Sequence, residues 1–300
     1  MQIPLSSDVS TNVTLANQRI IRTPFQVFRR RLRASTMTLT GVAMVLAVIV
    51  LAIIGPYVAP EDPNEMNLGN RFMAPGREHW FGTDDFGRDM LSRVLHGGRE
   101  SLMVGIISIA IALVIGVVVG LVSGYFGGWF DMVVQRCIEV MLAFPDLLLA
   151  MAIVSILGPS LRNVMIAIGI GGVPGNARFM RGLVLAQRER EFVDAAIVSG
   201  AGHGRIIFRY ILPNSISPMI VLTFMGVAGA ILAGSALSFI GMGAQPPSPE
   251  WGAMLNQGRQ YLRTEWWIGT FPGIVLVFTA LGFNLLGDGL RDVLDPSVGN

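Results

Sequence analysis

The chain has 300 residues, of which 52% are hydrophobic and 14% are charged, and its mean hydropathy is +0.59. Soluble domains carry about a quarter charged residues, so this composition excludes an ordinary soluble protein. Four stretches contain no Asp, Glu, Lys or Arg, namely residues 34–60, 101–130, 210–249 and 266–287. A spanning helix needs about 20 apolar residues, so each stretch can cross a bilayer. The sequence therefore predicts an all-α integral membrane protein.

The basic residues and the cysteine exclude several chemistries. All 22 basic residues are arginine, so no lysine is present to reach the phosphates of ATP in a P-loop or to form a Schiff base. Any ATP hydrolysis must therefore belong to a partner chain. Cys137 is the only cysteine, which excludes an intrachain disulfide and a cysteine-cluster metal site. The net charge of +2 gives no reason to expect nucleic acid as a partner.

Polar and apolar segments divide the chain into regions. Residues 1–36 form a basic tail in which Phe25, Phe28 and Leu32 recur at helical spacing, which is typical of a helix on the membrane surface; a disordered tail is the alternative. We expect a first span at residues 37–58, an outer segment at 59–100, a core at 101–290 and a tail at 291–300. The six expected spans are Thr38–Val58, Leu102–Tyr125, Val133–Leu157, Val164–Leu185, Ser215–Gly241 and Trp266–Leu286.

Arginine distribution orients these spans. Six spans place both termini on one side, and with this topology 14 of the 22 arginines lie in the tails, near Arg136 and in residues 178–209. Residues 59–100 instead carry five arginines against eight acids. Because arginine-rich loops remain in the cytoplasm, we expect both termini and residues 178–209 to be cytoplasmic and residues 59–100 to be periplasmic.

The outer segment is rich in charged residues that could pair with one another: Asp84, Asp85, Arg88, Asp89, Arg93 and Glu100. A metal site built from His79, Asp84 and Asp85 is the alternative, but no second well-placed histidine accompanies them. We therefore expect neither a metal nor another cofactor.

A polar island, Glu191–Asn214, separates two long apolar segments. The turn Gly200-Ala201-Gly202 divides it into two short helical runs, the second of which we expect to end at Pro213. Ala195, Ala196 and Ser199 fall on one helical face, where small side chains would let another surface approach closely. A cytoplasmic loop with no further role is the plain interpretation.

The polar island resembles the EAA loop of binding-protein-dependent ABC importers. That motif reads Glu-Ala-Ala, three residues, Gly, and later an Ile-x-Leu-Pro ending. Here Asp194 stands in place of the glutamate, Gly200 has the matching spacing, and the ending reads Tyr-Ile-Leu-Pro. In the family this loop is the coupling helix that docks on an ATPase subunit. The resemblance therefore implies that residues 188–214 form a coupling loop, with Glu191, Asp194, Ala195, Ala196, Gly200, Arg205 and Pro213 as its contact residues.

Three further blocks resemble C-type permeases of the dipeptide/oligopeptide/nickel import family. They are His79-Trp80-Phe81-Gly82-Thr83-Asp84 with Gly87-Arg88-Asp89, Leu237–Gly252 around Gln245-Pro246-Pro247, and Phe283–Pro296. The resemblance implies a type I ABC importer permease of the MetI-like fold in a bacterial inner membrane, with no catalysis of its own. Its implied partners are a second, related permease, two ABC ATPases and a periplasmic or extracellular solute-binding protein. Di- and oligopeptides are the commonest cargo of such permeases; nickel chelates, glutathione and opines are the alternatives.

Three residues are candidates for the pathway or its gate. Asp146 is ionisable near membrane depth, where a charge needs water or a partner. Pro145 before it indicates a broken helix, so Asp146 either caps the resumed helix or contacts cargo. Gln245 and Trp251 would lie at the outer mouth, where they could contact the binding protein or cover the pathway. We expect Trp266 and Trp267 to form an interfacial belt.

Glycines inside the spans would allow helices to approach closely and shift against one another: Gly105, Gly116, Gly120, Gly124, Gly226, Gly229 and Gly234. Two other classes of function remain. A secondary transporter working without an ATPase would carry acids and histidines in several spans, yet Asp146 is nearly alone. An intramembrane enzyme would need a catalytic motif, and Ser235 has no histidine within a span to act as its base.

Overall fold

The computed structural model describes residues 35–294, and the regular structure within that range is helical apart from one isolated bridge between Thr83 and Asp89. Residues 1–34, which include the proposed surface helix of the basic tail, and residues 295–300 lie outside the described range. A short 3-10 turn, Leu68–Asn70, interrupts the outer segment, and a π-helical segment, Ile207–Ile211, precedes α8. The α-helices are α1 Thr36–Val58, α2 Met90–Phe126, α3 Gly128–Leu142, α4 Asp146–Leu157, α5 Leu161–Arg188, α6 Glu191–Val198, α7 His203–Ile206, α8 Leu212–Phe239, α9 Trp251–Gly258 and α10 Trp267–Leu294.

Helix boundaries follow local capping. The Asp89 carboxylate accepts a hydrogen bond from the Ser92 backbone N–H at 2.7 Å and so begins α2. Gly127, with φ +65°, ends that helix in a conformation that favours glycine. The Ser160 hydroxyl accepts from the Asn163 backbone N–H at 3.1 Å and begins α5.

Within residues 35–294, four continuous helical stretches are long and apolar enough to cross a membrane: Thr36–Val58, Met90–Phe126, His203–Phe239 and Trp267–Val293. A fifth crossing is possible if α3 and α4, which meet at an angle of 91°, together form one span. Helix α5 covers the predicted span Val164–Leu185 and is 28 residues long, but it is less apolar than these four.

The predicted span Val133–Leu157 is broken in its middle, as Pro145 led us to expect. Helix α3 ends at Leu142, and α4 begins at Asp146 after Pro145. Proline lacks a backbone N–H and disfavours a helical conformation in the residue before it, so the apolar run cannot remain one helix.

The prediction that Pro213 ends the second run of the polar island is wrong. Pro213 lies in the first turn of α8, and helix continues from His203 through the π-helical segment to Phe239. A proline in the first turn of a helix removes an N–H that needs no partner there, and the wider π-helical turn just before it changes the hydrogen-bond register.

Helices α2 and α5 approach each other through three glycines spaced four residues apart. A Cβ atom at Gly116 would lie 2.6 Å from Asn176 Cβ, and one at Gly120 would overlap the Ala177 carbonyl oxygen and lie 2.9 Å from Met180 Cβ. At Gly124 the nearest atom is the Arg181 carbonyl oxygen at 3.1 Å. Small residues at this spacing let two membrane helices touch along their backbones. The predicted close approach is confirmed here.

Other glycines from the predicted set pack in the same way. A Cβ at Gly105 would meet Ile231 Cγ1 at 2.5 Å, one at Gly226 would meet Ile109 Cδ1 at 2.6 Å, and one at Gly234 would overlap Val104 Cγ1. Gly229 differs, because no atom lies within 4 Å of its would-be Cβ. It borders a cavity instead of a neighbouring helix.

The outer segment is organised around the buried Asp84 carboxylate. It accepts hydrogen bonds from the backbone N–H groups of Phe86 and Arg88, at 2.8 and 3.0 Å, and pairs with the Arg88 guanidinium at 2.7 Å. Arg93 Nε lies 3.7 Å from the same carboxylate. Burial and the neighbouring Asp84 raise the pKa of Asp85, whose carboxylate bonds to Gln257. The predicted pairing of outer charges is therefore confirmed for Asp84 with Arg88 and Arg93.

Adding a methyl group at the α2–α5 contact is expected to destabilise the protein. Gly120→Ala places a Cβ against the Ala177 carbonyl, and overpacking of this kind costs roughly 1–3 kcal/mol. The matched control is Gly182→Ala on α5, where no atom lies within 4 Å of the new Cβ. Thermal unfolding of the purified protein in detergent should show a lower midpoint for Gly120→Ala alone; equal midpoints for the two variants would refute the contact.

Candidate coupling surface and cavity

The polar island folds as two short helices, α6 and α7, joined by a turn at residues 199–202, as predicted. Helix α6 ends in a Schellman motif. The Gly200 N–H donates to the Ile197 carbonyl at 2.9 Å, and the Ala201 N–H donates to the Ala196 carbonyl at 3.0 Å. Gly200 has φ +78°, a conformation that residues with a side chain rarely adopt. The glycine in the motif therefore has a backbone role.

One face of α6 holds the polar island against the long helices. Val193 and Ala196 are buried, and they belong to one apolar cluster with residues of α2, α5 and α8. The members of the cluster are Leu121, Met180, Val184, Val193, Ala196, Ile206, Ile207, Ile211 and Met219. Burying both α6 side chains in this cluster fixes the position of the loop relative to α5.

The face of α6 that points away from this apolar cluster carries exposed apolar side chains, and so does the segment after α7. Val198 is 89% exposed, Phe208 68% and Ile197 54%, and Phe192 is also exposed. The predicted small-residue face is therefore divided, since Ala195 and Ser199 point outward while Ala196 packs inward. Exposed apolar side chains on a short helix such as α6, outside the candidate spans, are typical of a surface that binds another protein.

The charged members of the predicted site are exposed as well. Glu191 and Asp194 are exposed in the first turn of α6, where acids suit the helix dipole. Arg205 is exposed on α7 and makes no ion pair within residues 35–294. Pro213 is exposed as well. The predicted coupling residues lie on one continuous stretch of chain, with Ala196 as the inward-facing member.

A cavity of about 440 Å³ opens between α2, α4, α5 and α8. Its wall is mainly apolar or glycine, and Asp146 is the one charged residue that lines it. The two other polar side chains are already bonded: Asn176 Nδ2 donates to the Gly172 carbonyl at 2.9 Å, and Ser108 Oγ donates to the Met165 carbonyl at 3.1 Å. The sequence does not reveal the contribution of Gly171 and Gly175, because the cavity forms only when four helices meet.

Asp146 does not cap α4 as predicted. It is the first residue of the helix, Pro145 occupies the cap position, and the aspartate side chain makes no capping hydrogen bond. The carboxylate is exposed and lines the cavity. The alternative interpretation, in which Asp146 faces the pathway, fits this placement.

The two other pathway candidates, Gln245 and Trp251, lie in different surroundings. Gln245 is exposed beside the cis Pro246-Pro247 bond and lines a second cavity of about 550 Å³ on the outer segment. Trp251 is only 2% exposed; its indole N–H donates to the Val94 carbonyl at 3.0 Å, and its ring packs on Gly97. The prediction that Trp251 contacts a partner at the outer mouth is therefore wrong, because its side chain is buried within this chain.

The predicted tryptophan belt is wrong for Trp267 and stays a prediction for Trp266. Trp266 is exposed, whereas Trp267 is buried and its indole N–H donates to the Thr83 carbonyl at 3.0 Å. Trp267 thus fastens α10 to the outer segment.

The alternative metal site is not formed. His79 Nδ1 lies 3.1 Å from the Asp89 carboxylate, while Asp84 is occupied by Arg88 and backbone N–H groups. No group of three potential ligand residues suited to a metal occurs within residues 35–294.

Comparison with known proteins identifies the class. Residues 116–300 match the family model described as binding-protein-dependent transport system inner membrane component, and residues 23–75 match the N-terminal TM domain of oligopeptide transport permease C. The fold is similar to that of a chain in an inward-facing structure of the MetNI methionine ABC transporter, with a TM-score of 0.53 and 18% identity over 68% of this chain and 97% of the other. This likeness shows the fold alone.

Curated relatives agree with the family models. The chain is 46% identical to the dipeptide transport system permease protein DppC of Alkalihalophilus pseudofirmus, covering 92% of this chain and 90% of the relative. It is 44% identical to the probable D,D-dipeptide transport system permease protein DdpC of Escherichia coli, covering 89% and 90%. It is also 44% identical to the glutathione transport system permease protein GsiD of Shigella flexneri, covering 93% and 92%.

The chain belongs to the family of binding-protein-dependent transport system inner membrane components. More narrowly, it is a permease subunit of the DppC/OppC type, a multi-pass protein of the bacterial inner membrane.

Proposed function

We propose that this permease imports di- or oligopeptides, and that residues 188–214 couple it to ABC ATPase subunits. The observation that carries the coupling proposal is the exposure of Ile197 and Val198 on α6, whose opposite face packs against the membrane helices through Val193 and Ala196. Glu191, Asp194 and Arg205 would pair with charges on the ATPase, and Ala195 would allow close approach.

The proposal includes a topology of six crossings with both termini in the cytoplasm. Four helical stretches and the bent α3–α4 pair account for five, and α5 would be the sixth. Helix α5 carries arginines at its cytoplasmic end, and Arg181 is neutralised there by Asp131 at 2.6 Å. This pairing removes much of the cost of placing α5 in the membrane. Residues 1–36 and 291–300 would then be cytoplasmic tails, and residues 59–100 would face the periplasm.

The proposed partners follow from these surfaces. The ATPase subunits would meet α6, and a solute-binding protein would meet the outer segment near Gln245. A related second permease would complete the cavity wall at α4, where Asp146 lines the cavity and is exposed in this chain. This subunit would perform no catalysis.

Peptide cargo is favoured by the form of the cavity. A wall of glycine and apolar side chains with a single carboxylate offers few fixed hydrogen bonds, which suits substrates of varied sequence. The carboxylate would attract the amino terminus that peptides share. Glutathione, nickel chelates and opines are the competing cargoes, and glutathione appears in the name of one close relative.

Reconstitution tests the proposal directly. The unmodified chain, with its partner permease in liposomes, should bind the ATPase subunits and take up peptide only when ATP and the binding protein are both supplied. Uptake without an ATPase would contradict the proposal.

Substitution at Gly200 should weaken the coupling between the ATPase and transport, because it changes the backbone conformation at the end of α6. An alanine in the left-handed conformation costs roughly 1–2 kcal/mol, so Gly200→Ala should distort the end of α6 and reduce uptake. Gly200→Asn should retain more uptake, because asparagine tolerates this conformation better. No atom lies within 4 Å of a Cβ at either Gly200 or Gly202, so Gly202→Ala, at φ −69°, is the matched control. Equal uptake by all three variants would contradict the coupling role.

Replacing the cavity carboxylate tests the pathway. Asp146→Asn should reduce uptake of a dipeptide with a free amino terminus by about fivefold, as expected for the loss of one exposed charge pair. An amino-terminally acetylated dipeptide should show no such reduction. Glu139→Gln, which removes an exposed acid of α3 that does not line the cavity, is the control. Unchanged uptake in Asp146→Asn would remove this residue from the cargo path.

A further inference from the structure

Helices α2 and α3 meet at a sharp junction, residues 125–131, that we call the inner corner. Three separate contacts hold this corner, one to Arg181 within α5 and two to the chain on either side of α6. They involve the ends of two other helices, α5 and α7, and none of them belongs to the exposed apolar face described above.

The first contact is a two-point ion pair between α5 and α3. Arg181 Nε donates to Asp131 Oδ1 at 2.7 Å, and Arg181 Nη2 donates to Asp131 Oδ2 at 2.6 Å. Ser123 Oγ of α2 also donates to Asp131 Oδ1, at 2.9 Å. A paired guanidinium and carboxylate define a fixed orientation, so this contact sets the direction of α3 relative to both α2 and α5.

The second and third contacts lie on either side of α6. Arg188 Nη1, before the helix, donates to the Tyr125 carbonyl oxygen at 3.1 Å near the end of α2, where a cation suits the helix dipole. His203, after the turn, has Nδ1 2.9 Å from the Tyr125 hydroxyl. Its ring also packs edge-on against Tyr125 and lies beside Phe126, with centroids 5.7 and 5.9 Å apart. The chain on each side of α6 is thus bonded to the same residue, Tyr125.

The corner leads directly to the cavity. Helix α3 runs from it for 15 residues, three residues follow, and Asp146 then begins α4 at the cavity wall. Only Ile138 of α3 is buried, so α3 has little packing of its own within residues 35–294. The contacts at its first turn are therefore the main restraint on its direction.

We propose that Tyr125, Asp131, Arg181, Arg188 and His203 are positioning residues that transmit displacement of α6 to the inner corner, and through α3 to the cavity wall. This inference rests on the proposed function, because it assumes that α6 receives its motion from the ATPase. None of the five residues lines the cavity, and each acts here through its contact within the chain, including Arg188 and His203 of the proposed coupling loop. They determine whether movement at the loop reaches Asp146.

The distinguishing measurement is the number of solute molecules imported per ATP hydrolysed. The complete transporter in liposomes should be assayed with Asp131→Asn, Arg181→Gln and the double variant. Each single variant should lower the ratio at least threefold while the ATPase still binds and hydrolyses ATP at its unmodified rate. Because both side chains serve one contact, the double variant should be no worse than either single variant.

Two further variants provide a conservative substitution and a charge control. Tyr125→Phe retains the ring and its packing but removes the hydroxyl that meets His203, so it should lower the ratio in the same direction without a folding defect. Arg178→Gln is the matched control for charge. Arg178 lies three residues before Arg181 on α5, is exposed, and makes no ion pair or hydrogen bond within residues 35–294.

The outcomes separate this inference from the proposed function. An unchanged ratio in the Asp131, Arg181 and Tyr125 variants would overturn the inference. Strictly additive losses, or an equal loss in Arg178→Gln, would also overturn it. Loss of ATPase binding in the corner variants would show that these residues merely shape the docking surface. Failure of the unmodified transporter to bind an ATPase would instead contradict the proposed function itself.

Discussion

The contact between the backbones of α2 and α5 is the constraint on which the rest of this structure depends. Gly116 and Gly120 leave no room for even a methyl group against α5, and Gly124 leaves little. In lipid, helices gain no hydrophobic advantage from meeting, so close van der Waals contact has to hold them together. Since α5 continues into α6 after only two residues, the same contact helps to position the proposed coupling loop.

Helix α5 therefore contributes both to the cavity and to the position of the loop. Along its middle, α5 contributes Gly171 and Gly175 to the cavity wall; at its end it presents the loop that carries Val198. The apolar cluster under α6 joins this end to α2 and α8, so a force on the loop acts on packed helices rather than on a free segment. Proteins respond to such forces by shifts of packed elements, because dense interiors do not deform continuously.

Local sequence signals predicted local structure well. The glycine turn between α6 and α7 and the pairing of Asp84 with Arg88 follow from neighbours in the chain. Features that depend on distant parts of the chain could not be predicted. Trp251 is buried against Gly97, more than 150 residues away, and nothing near the tryptophan indicates this partner. The break at Pro145 was predicted from the proline itself, whereas the angle of 91° between α3 and α4 was not.

The central claim is that α6 lies on the cytoplasmic side and is covered there by an ATPase. It is tested most directly by placing a single cysteine at Val198 in a Cys137→Ser background, since Cys137 is the only natural cysteine. A membrane-impermeant maleimide should label this cysteine in inverted membrane vesicles and not in right-side-out vesicles. Bound ATPase subunits should protect it. Labelling from the periplasmic side, or labelling that bound ATPase leaves unchanged, would contradict the account.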